Sequence, residues 1–295
     1  MKCVCEQLIL SNNYGLLDSM SRQIVGISLV RNEDLFITQA IKNVADFCDR
    51  IIILDNNSTD NTGEKIDQLK ASFSHIETYR INDYRQSHQY ISKYAGSNTW
   101  VLGVDGDEIY DPIGLERLRT QLLEGHFDKH WAIFGNVINC AELDLNKSLA
   151  KGYPSPPSRS MTKLMNFSAL VSWHGSCERF HGGEKRFHPG FDETQRLSLH
   201  EKFCWNASPF RCLHLCFIKR STNEKNGPMS RLQPGEKPKW LRCLDRLGVG
   251  WLCDGAIHTG RSAWKDEKYR KGEVQTVDTA PFFPTPSIGS DGHLH

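Results

Sequence analysis

Nowhere in the 295 residues does an apolar stretch approach the 18 residues that a bilayer-crossing helix needs. Charge of one sign is not in excess either: 36 Lys and Arg stand against 35 Asp and Glu, a net of +1. Bulk electrostatics therefore favours neither a nucleic acid nor a membrane surface. The opening MKCVCEQLILSNNYGLLDSM has one lysine and a short apolar patch broken by Ser11, Asn12 and Asn13. It lacks the apolar core of an export signal, and the expectation is a cytoplasmic chain. Without export, the ten cysteines read as free thiols rather than disulfides. No second cysteine pair at zinc-finger spacing accompanies Cys212 and Cys216. The run CLHLC is thus expected to be a strand with Leu213 and Leu215 on one face, rather than a zinc site. There is no internal repeat.

What is present is ordinary globular composition, 39% hydrophobic and 24% charged, in a chain long enough for a large core. Apolar runs ending in polar tips recur through the first third. QIVGISLVRNED reads as a buried strand, and DLFITQAIKNVADFC follows with Leu35, Ile37, Ala40, Ile41 and Val44 at helical spacing. DRIIILDNNSTDNT is a second strand, with Thr62 or its neighbours capping a helix in GEKIDQLKASF. HIETYRI is a third strand, RQSHQYISKYAG a helix, and TWVLGVD a fourth strand. This alternation predicts an α/β fold with a mostly parallel sheet built from right-handed crossovers. Such sheets bind ligands beyond the carboxyl ends of their strands, where RNED, DNNSTD and DGDE fall.

The middle is less regular. HWAIFGNVINC reads as one strand, KGYPSPPSRS as a loop, and MTKLMNF, ALVSWHGSCERF and FRCLHLCFIK as short strands of an antiparallel extension. The last thirty residues read as a loose tail. Residues 219–246 carry eight Lys and Arg against three acids, either a solvated surface or a surface for an anionic acceptor.

The most informative stretch is WVLGVDGDEIYDP, residues 100–112. An apolar strand delivers Asp105, Asp107 and Glu108 to one tip, and Pro112 is expected to stop regular structure. Carboxylates this close repel one another, so a cationic partner belongs beside them, whether a metal, a lysine or only solvent. The cluster is either a solvated turn or a divalent-cation site; hard oxygen ligands suit Mg²⁺ or Mn²⁺ shared with substrate phosphates.

The series VRNEDLFITQAIKN, IIILDNNSTDNT and WVLGVDGDEI, in this order and spacing, resembles the nucleotide-sugar-binding half of family 2 glycosyltransferases, which have the GT-A fold. The resemblance covers about residues 22–112 and extends more loosely to about 220. It implies a division into an N-terminal extension (1–21), a nucleotide-sugar-binding half (22–112), an acceptor-side half (113–220) and a basic C-terminal region (221–295). It places Arg31, Asn32 and Glu33 near base and ribose, and Asp55 at the base, while Asp60 orders the turn. It puts Asp105 at the ribose or a metal-bound water, and Asp107 on a cation, Mn²⁺ or Mg²⁺, bridging the diphosphate. Glu108 is not implied as a ligand. Arg85 and His88 lie near a basic position facing the nucleotide, although the spacing does not match cleanly. His214 corresponds to a metal-binding histidine on a late strand; a strand histidine satisfied by its neighbours is the competing reading.

The implied activity is transfer of a sugar, with inversion, from a nucleotide-sugar, UDP-linked by resemblance, to an acceptor hydroxyl on a glycan, a lipid or another molecule. One carboxylate serves as base. Glu178 is the candidate, with Asp192 and Glu193 as rivals; Cys177 departs from the His-Glu pair of related sequences. Lys163, Arg159 or Arg186 would add positive charge at the phosphates. Trp173 would either stack on a sugar or be buried. Two other readings are weighed: a nucleotidyltransferase, against which the first loop lacks Gly and Lys, and a non-catalytic nucleotide-binding or scaffold protein.

Overall fold

The computed structural model describes residues 21–159, 162–175, 183–224 and 263–284. Its centre is a seven-stranded sheet whose middle is β1 (Gln23–Val30), β2 (Arg50–Asp55), β3 (Ile76–Arg80) and β4 (Thr99–Gly103), all parallel. β1, β2 and β4 are near-continuous apolar runs because both faces are covered, whereas β3, at the sheet edge, is largely part-buried or exposed. On one face pack the helices α1 (Ile37–Ala45), α2 (Thr62–Ser72) and α4 (Pro112–Leu123), through Ile37, Ile41, Val44, Ile66, Leu69, Leu115 and Leu118. The other face is closed by Ile91 of the short α3 (Gln89–Ser92) with Trp131, Phe167 and Trp173.

The sheet continues through β6 (Ala132–Phe134), β9 (Lys163–Asn166) and β12 (Arg196–Ser198), in the order β12-β6-β9-β4-β1-β2-β3. β9 runs antiparallel to both neighbours. A second, five-stranded sheet has the order β14-β8-β7-β13-β5, from β5 (Glu108–Tyr110), β7 (Asn136–Asp144), β8 (Leu149–Ser155), β13 (Arg211–His214) and β14 (Gln275–Asp278). A two-stranded ribbon of β10 (Leu170–His174) and β11 (Glu184–Phe187) completes the strands described. The expected α/β class and mostly parallel first half are present. The halves divided at residue 112 in the sequence share both sheets.

Several local expectations are overturned. Pro112 does not stop structure; it is the first residue of α4, where a missing N–H costs nothing, and Asp111 caps the helix by accepting from the Ile113 N–H at 3.1 Å. The run HWAIFGNVINC is two strands, split at Gly135, where a Cβ would lie 2.0 Å from the Phe210 carbonyl oxygen. Half of the expected Pro/Ser loop is β8, paired with β7. The helix expected in RQSHQYISKYAG is a 3₁₀ turn, Tyr84–His88, followed by one turn of α3. CLHLC is a strand through His214 with Leu213 and Leu215 together in the core of the second sheet, as expected, but Cys212 enters the helix-side core and all five residues are buried. Finally, part of the expected loose tail is built in: β14 pairs with β8, and Val277 and Phe282 enter the core of the second sheet. Their apolar side chains cover a sheet face that would otherwise be wet.

Candidate functional site

The chain runs outward from β1 through β2 to β3, then returns to place β4 on the other side of β1. Connections from these neighbouring strands therefore diverge, and their carboxyl ends open a crevice. The loop after β1 carries Glu33 into it and the loop after β4 carries Asp105 and Asp107. Gly106 is required between the two aspartates, since a Cβ there would sit 2.0 Å from Glu33 Oε2 and 3.3 Å from Glu33 Cβ. The aspartate loop also joins the two sheets: it leaves β4 of the first and enters β5 of the second. There Glu108 faces His214 in antiparallel register, and the Leu215 N–H donates to the Asp107 carbonyl at 2.7 Å.

The cationic partner the acids called for is protein. Lys163 Nζ donates to Asp105 Oδ2 at 3.0 Å. Arg220 Nη1 donates to Asp107 Oδ2 at 2.9 Å and lies 3.6 Å from Glu33 Oε1. Arg220, Asp107 and Glu33 are all buried. Burial works against the guanidinium's charge, but the Asp107, Glu33 and Glu224 carboxylates outweigh it and raise the Arg220 pKa. Arg220 thus does not belong to a solvated basic patch, as its place in the sequence suggested: buried carboxylates draw it inward. Lys219 is exposed, and residues 225–246 of that segment lie outside the described residues.

His214 Nδ1 pairs with Asn139 Oδ1 at 2.8 Å, while the Asn139 amide nitrogen donates to Ser158 Oγ at 2.6 Å. That network makes Nδ1 the donor, and in the neutral imidazole Nε2 then carries the lone pair. Nε2 faces Asp107 Oδ1 at 3.9 Å, too far for a hydrogen bond and with an acceptor on each side. The donor set, one carboxylate oxygen and one oriented imidazole, fits a borderline cation such as Mn²⁺ that completes its shell with substrate oxygens. It does not make a cage of its own: among the described residues no group of three or more His, Cys, Asp or Glu side chains is arranged to hold a metal.

The remaining candidates are spread over the same rim. Asp55 is buried at the end of β2, accepting from the Ser58 N–H at 2.9 Å and pairing with Arg80 at 3.3 Å. Asn32 adopts a left-handed φ of 53°, which asparagine tolerates, and its Oδ1 accepts from the Thr59 N–H at 2.7 Å. Asn32 therefore ties the first loop to the second, and Arg31 precedes it half-buried. Asp60 does order the turn, accepting from the Thr62 N–H and from Ser221 Oγ. Burial opposes its charge, but these hydrogen bonds prevail and lower its pKa. Arg85 pairs with Asp83 at 2.7 Å on the 3₁₀ turn. Trp173 is buried against Phe167 and His88. Glu178 lies outside the described residues. Of its rivals, Glu193 pairs with Lys185, and Asp192 accepts from Thr194.

Reading the sequence alone missed Arg220, Asn139 and Asp34. Asp34 accepts from both the N–H and the hydroxyl of Thr222, at 2.8 and 2.6 Å, and so clips the chain after β13 to the first loop. Asn139 did leave a signal, an amide inside the otherwise apolar run VINC. The five cysteines described are free thiols, and burial raises the pKa of Cys48, Cys140 and Cys212.

Of the two readings of Glu108, exposed or behind the site, the structure shows it buried. Its Oε2 accepts from Tyr110 Oη at 3.0 Å. Burial, opposed by Lys163 and reinforced by Asp105 and Asp107, raises its pKa from 4.5 to about 8. The native state therefore keeps a proton that the unfolded chain releases, and stability falls as pH rises between those values. Urea denaturation from about pH 5 to about pH 8 is expected to lose up to about 1 kcal/mol per pH unit through this group. Glu108→Gln should flatten that slope, and an unchanged slope would remove Glu108 as its source.

The family described as "Glycosyl transferase family 2" matches residues 27–187, more than half of the chain, and spans β1 through β11. The chain belongs to glycosyl transferase family 2. No curated protein sequence matches it. Among solved structures it is similar to the glucosyl-3-phosphoglycerate synthase of Mycobacterium tuberculosis in complex with Mn²⁺, UDP-glucose and phosphoglyceric acid. There the identity is 16% over 50% of this chain, with a TM-score of 0.32. The chain spans 58% of the length of that synthase. It is also similar to a mannosyltransferase of Pyrobaculum calidifontis in complex with GDP-mannose and Mn²⁺, at 12% identity over 84% of this chain and 68% of that one, TM-score 0.38. A cytidylyltransferase of Leptospira borgpetersenii aligns at 12% identity over 50% of this chain and 61% of that one, TM-score 0.28. Alignments this loose carry no substrate across; the family assignment rests on the sequence match. No helix among the described residues is long and apolar enough to cross a membrane.

Proposed function

We propose that the protein is a metal-dependent glycosyltransferase that moves a sugar from a nucleotide-sugar, UDP-linked by preference, to an acceptor hydroxyl with inversion. One observation carries this reading: the crevice between β1 and β4 gathers Glu33, Asp105 and Asp107, and His214 Nε2 is held facing Asp107 Oδ1 at 3.9 Å. In a member of this family, that is where a nucleoside diphosphate would sit. Asp107 and His214 would hold the divalent ion, which when bound neutralises charge on the departing diphosphate.

The chain's own residues do the rest. Asp55, kept rigid by Ser58 and Arg80, offers an acceptor for the N–H of a base. Arg31 and Asn32 border the ribose side, and Arg85 would approach the nucleotide from the 3₁₀ turn. Lys163 holds Asp105 on the rim and leaves a fixed positive charge where phosphate charge grows. A single carboxylate removes the acceptor's proton in a direct displacement. Glu178, which lies between β10 and β11 in the sequence, is assigned that role. The acceptor is a hydroxyl on a glycan, a lipid or another molecule.

A thermal-shift panel of UDP, GDP, dTDP, CMP and UDP-sugars, each with Mn²⁺, Mg²⁺ or EDTA, tests the reading. One nucleotide should raise Tm only with the metal, corresponding to about 2.7 kcal/mol at a hundredfold excess over Kd. No shift with any of them would favour a non-catalytic binding or scaffold protein.

A further inference from the structure

Arg220 places a permanent cation on the carboxylate that a metal ion would be expected to share. Its guanidinium lies 2.9 Å from Asp107 Oδ2 and 3.6 Å from Glu33 Oε1, with about nine-tenths of its side chain buried. The backbone around it leaves little freedom. The Leu35 N–H donates to the Arg220 carbonyl at 3.0 Å, and the Arg220 N–H donates to Glu224 Oε2 at 2.9 Å. Ser221 and Thr222 are hydrogen-bonded to Asp60 and Asp34, and Asn223 Nδ2 donates to Thr59 Oγ1 at 3.3 Å. Residues 220–223 are thus stitched to both nucleotide-side loops.

We infer that Arg220 is a built-in counter-cation that neutralises Asp107 and Glu33 when no metal is bound, and that it weakens the site's intrinsic affinity for a divalent ion by occupying Asp107 Oδ2. The physical basis is twofold. Two buried carboxylates meeting across Gly106 could not both stay ionised without a positive charge between them. A guanidinium on one oxygen of a carboxylate also withdraws negative charge from the other, and repels any second cation that approaches. Metal alone is therefore bound weakly, and tight binding requires the negative charge of a nucleoside diphosphate. The site would be loaded by metal and nucleotide together. Arg220 acts through Asp107 and is a positioning residue.

This inference rests on the metal site proposed above, and its test reads binding rather than turnover. Free Mn²⁺ is followed by its electron paramagnetic resonance signal as it titrates the full chain without nucleotide, and Tm is measured in Mn²⁺ and in EDTA. Wild type should bind Mn²⁺ weakly and show nearly the same Tm in both. Arg220→Met should bind Mn²⁺ at least tenfold more tightly, with a Tm that is depressed in EDTA and recovers in Mn²⁺. Arg220→Lys, which keeps a charge but on a shorter side chain that holds it less closely to Asp107, should bind a few-fold more tightly than wild type. If the Met variant does not fold, the Lys variant decides. Variants that bind Mn²⁺ no more tightly than wild type, while wild type responds to Mn²⁺ plus nucleotide, would overturn the inference alone. No Mn²⁺ response in any variant, with or without nucleotide, would overturn the metal site beneath it.

Discussion

Asp107→Asn is expected to abolish metal-dependent nucleotide binding and to reduce sugar transfer by at least a hundredfold, a loss of about 3 kcal/mol of transition-state stabilisation. The amide keeps the shape of Asp107 but removes the charge that faces both His214 and Arg220. Asparagine is the informative substitution because alanine does two things at once. Asp107 is buried and hydrogen-bonded to a buried guanidinium, so Asp107→Ala leaves Arg220 with Glu33 and a void. Breaking a buried pair from one side typically costs about 3–5 kcal/mol. Read from the sequence only as a metal ligand, Asp107 could have been truncated with the fold intact; in the structure it is also buried and paired with Arg220. Calorimetric titration of nucleotide with Mn²⁺ and with EDTA checks the prediction. Full Mn²⁺-dependent binding by the asparagine variant would exclude Asp107 as the ligand.

The largest stability effect is expected away from the crevice, at Asp111. Its Oδ1 caps α4 and its Oδ2 accepts from Arg211 Nε at 2.9 Å, both side chains being almost fully buried. Arg211 in turn lies over the rings of Trp205 and Phe282, at 5.6 and 5.2 Å, and so fixes residues near the C-terminus to the second sheet. Asp111→Ala removes a cap worth about 1 kcal/mol and strands a buried charge worth about 3–5 kcal/mol, for a combined loss of about 4–6 kcal/mol. Asp111→Asn retains the cap and should lose less. Adding Arg211→Met to the alanine variant should cost little more, because the stranded charge is gone. Urea denaturation of the wild type, the three single variants Asp111→Ala, Asp111→Asn and Arg211→Met, and the double variant measures these terms. Strict additivity of Asp111→Ala and Arg211→Met would mean that the pair is not coupled.

Much of the first sheet was legible because its strands are buried on both faces. Isoleucine-rich runs such as RIIILD cannot easily be anything else when polar turns bound them. The α1 helix was legible for a similar reason, with one stripe of Ile37, Ala40, Ile41 and Val44. Pro112 was misread because proline breaks a helix interior but starts a helix well, and only the Asp111 cap decides between the two. The tail was misread because β14 is polar on three of its four residues and has no strand pattern of its own. It becomes a strand only because β8 offers an open edge.

The site divides along the same line. Asp55, Asp105 and Asp107 could be found from their places at strand ends, since a parallel sheet puts its ligands there whatever the loops contain. Local pattern also foretold that a positive charge must neutralise the acids. It could not say that the charge would be Lys163 and Arg220, 58 and 113 residues away in the chain. Local sequence reports periodicity, caps and the sign of unbalanced charge, because those depend on near neighbours. Which distant side chain enters a buried cluster depends on how two sheets meet. That was decided only when β5 and β13 brought Glu108, His214 and the chain leading to Arg220 to the aspartate loop.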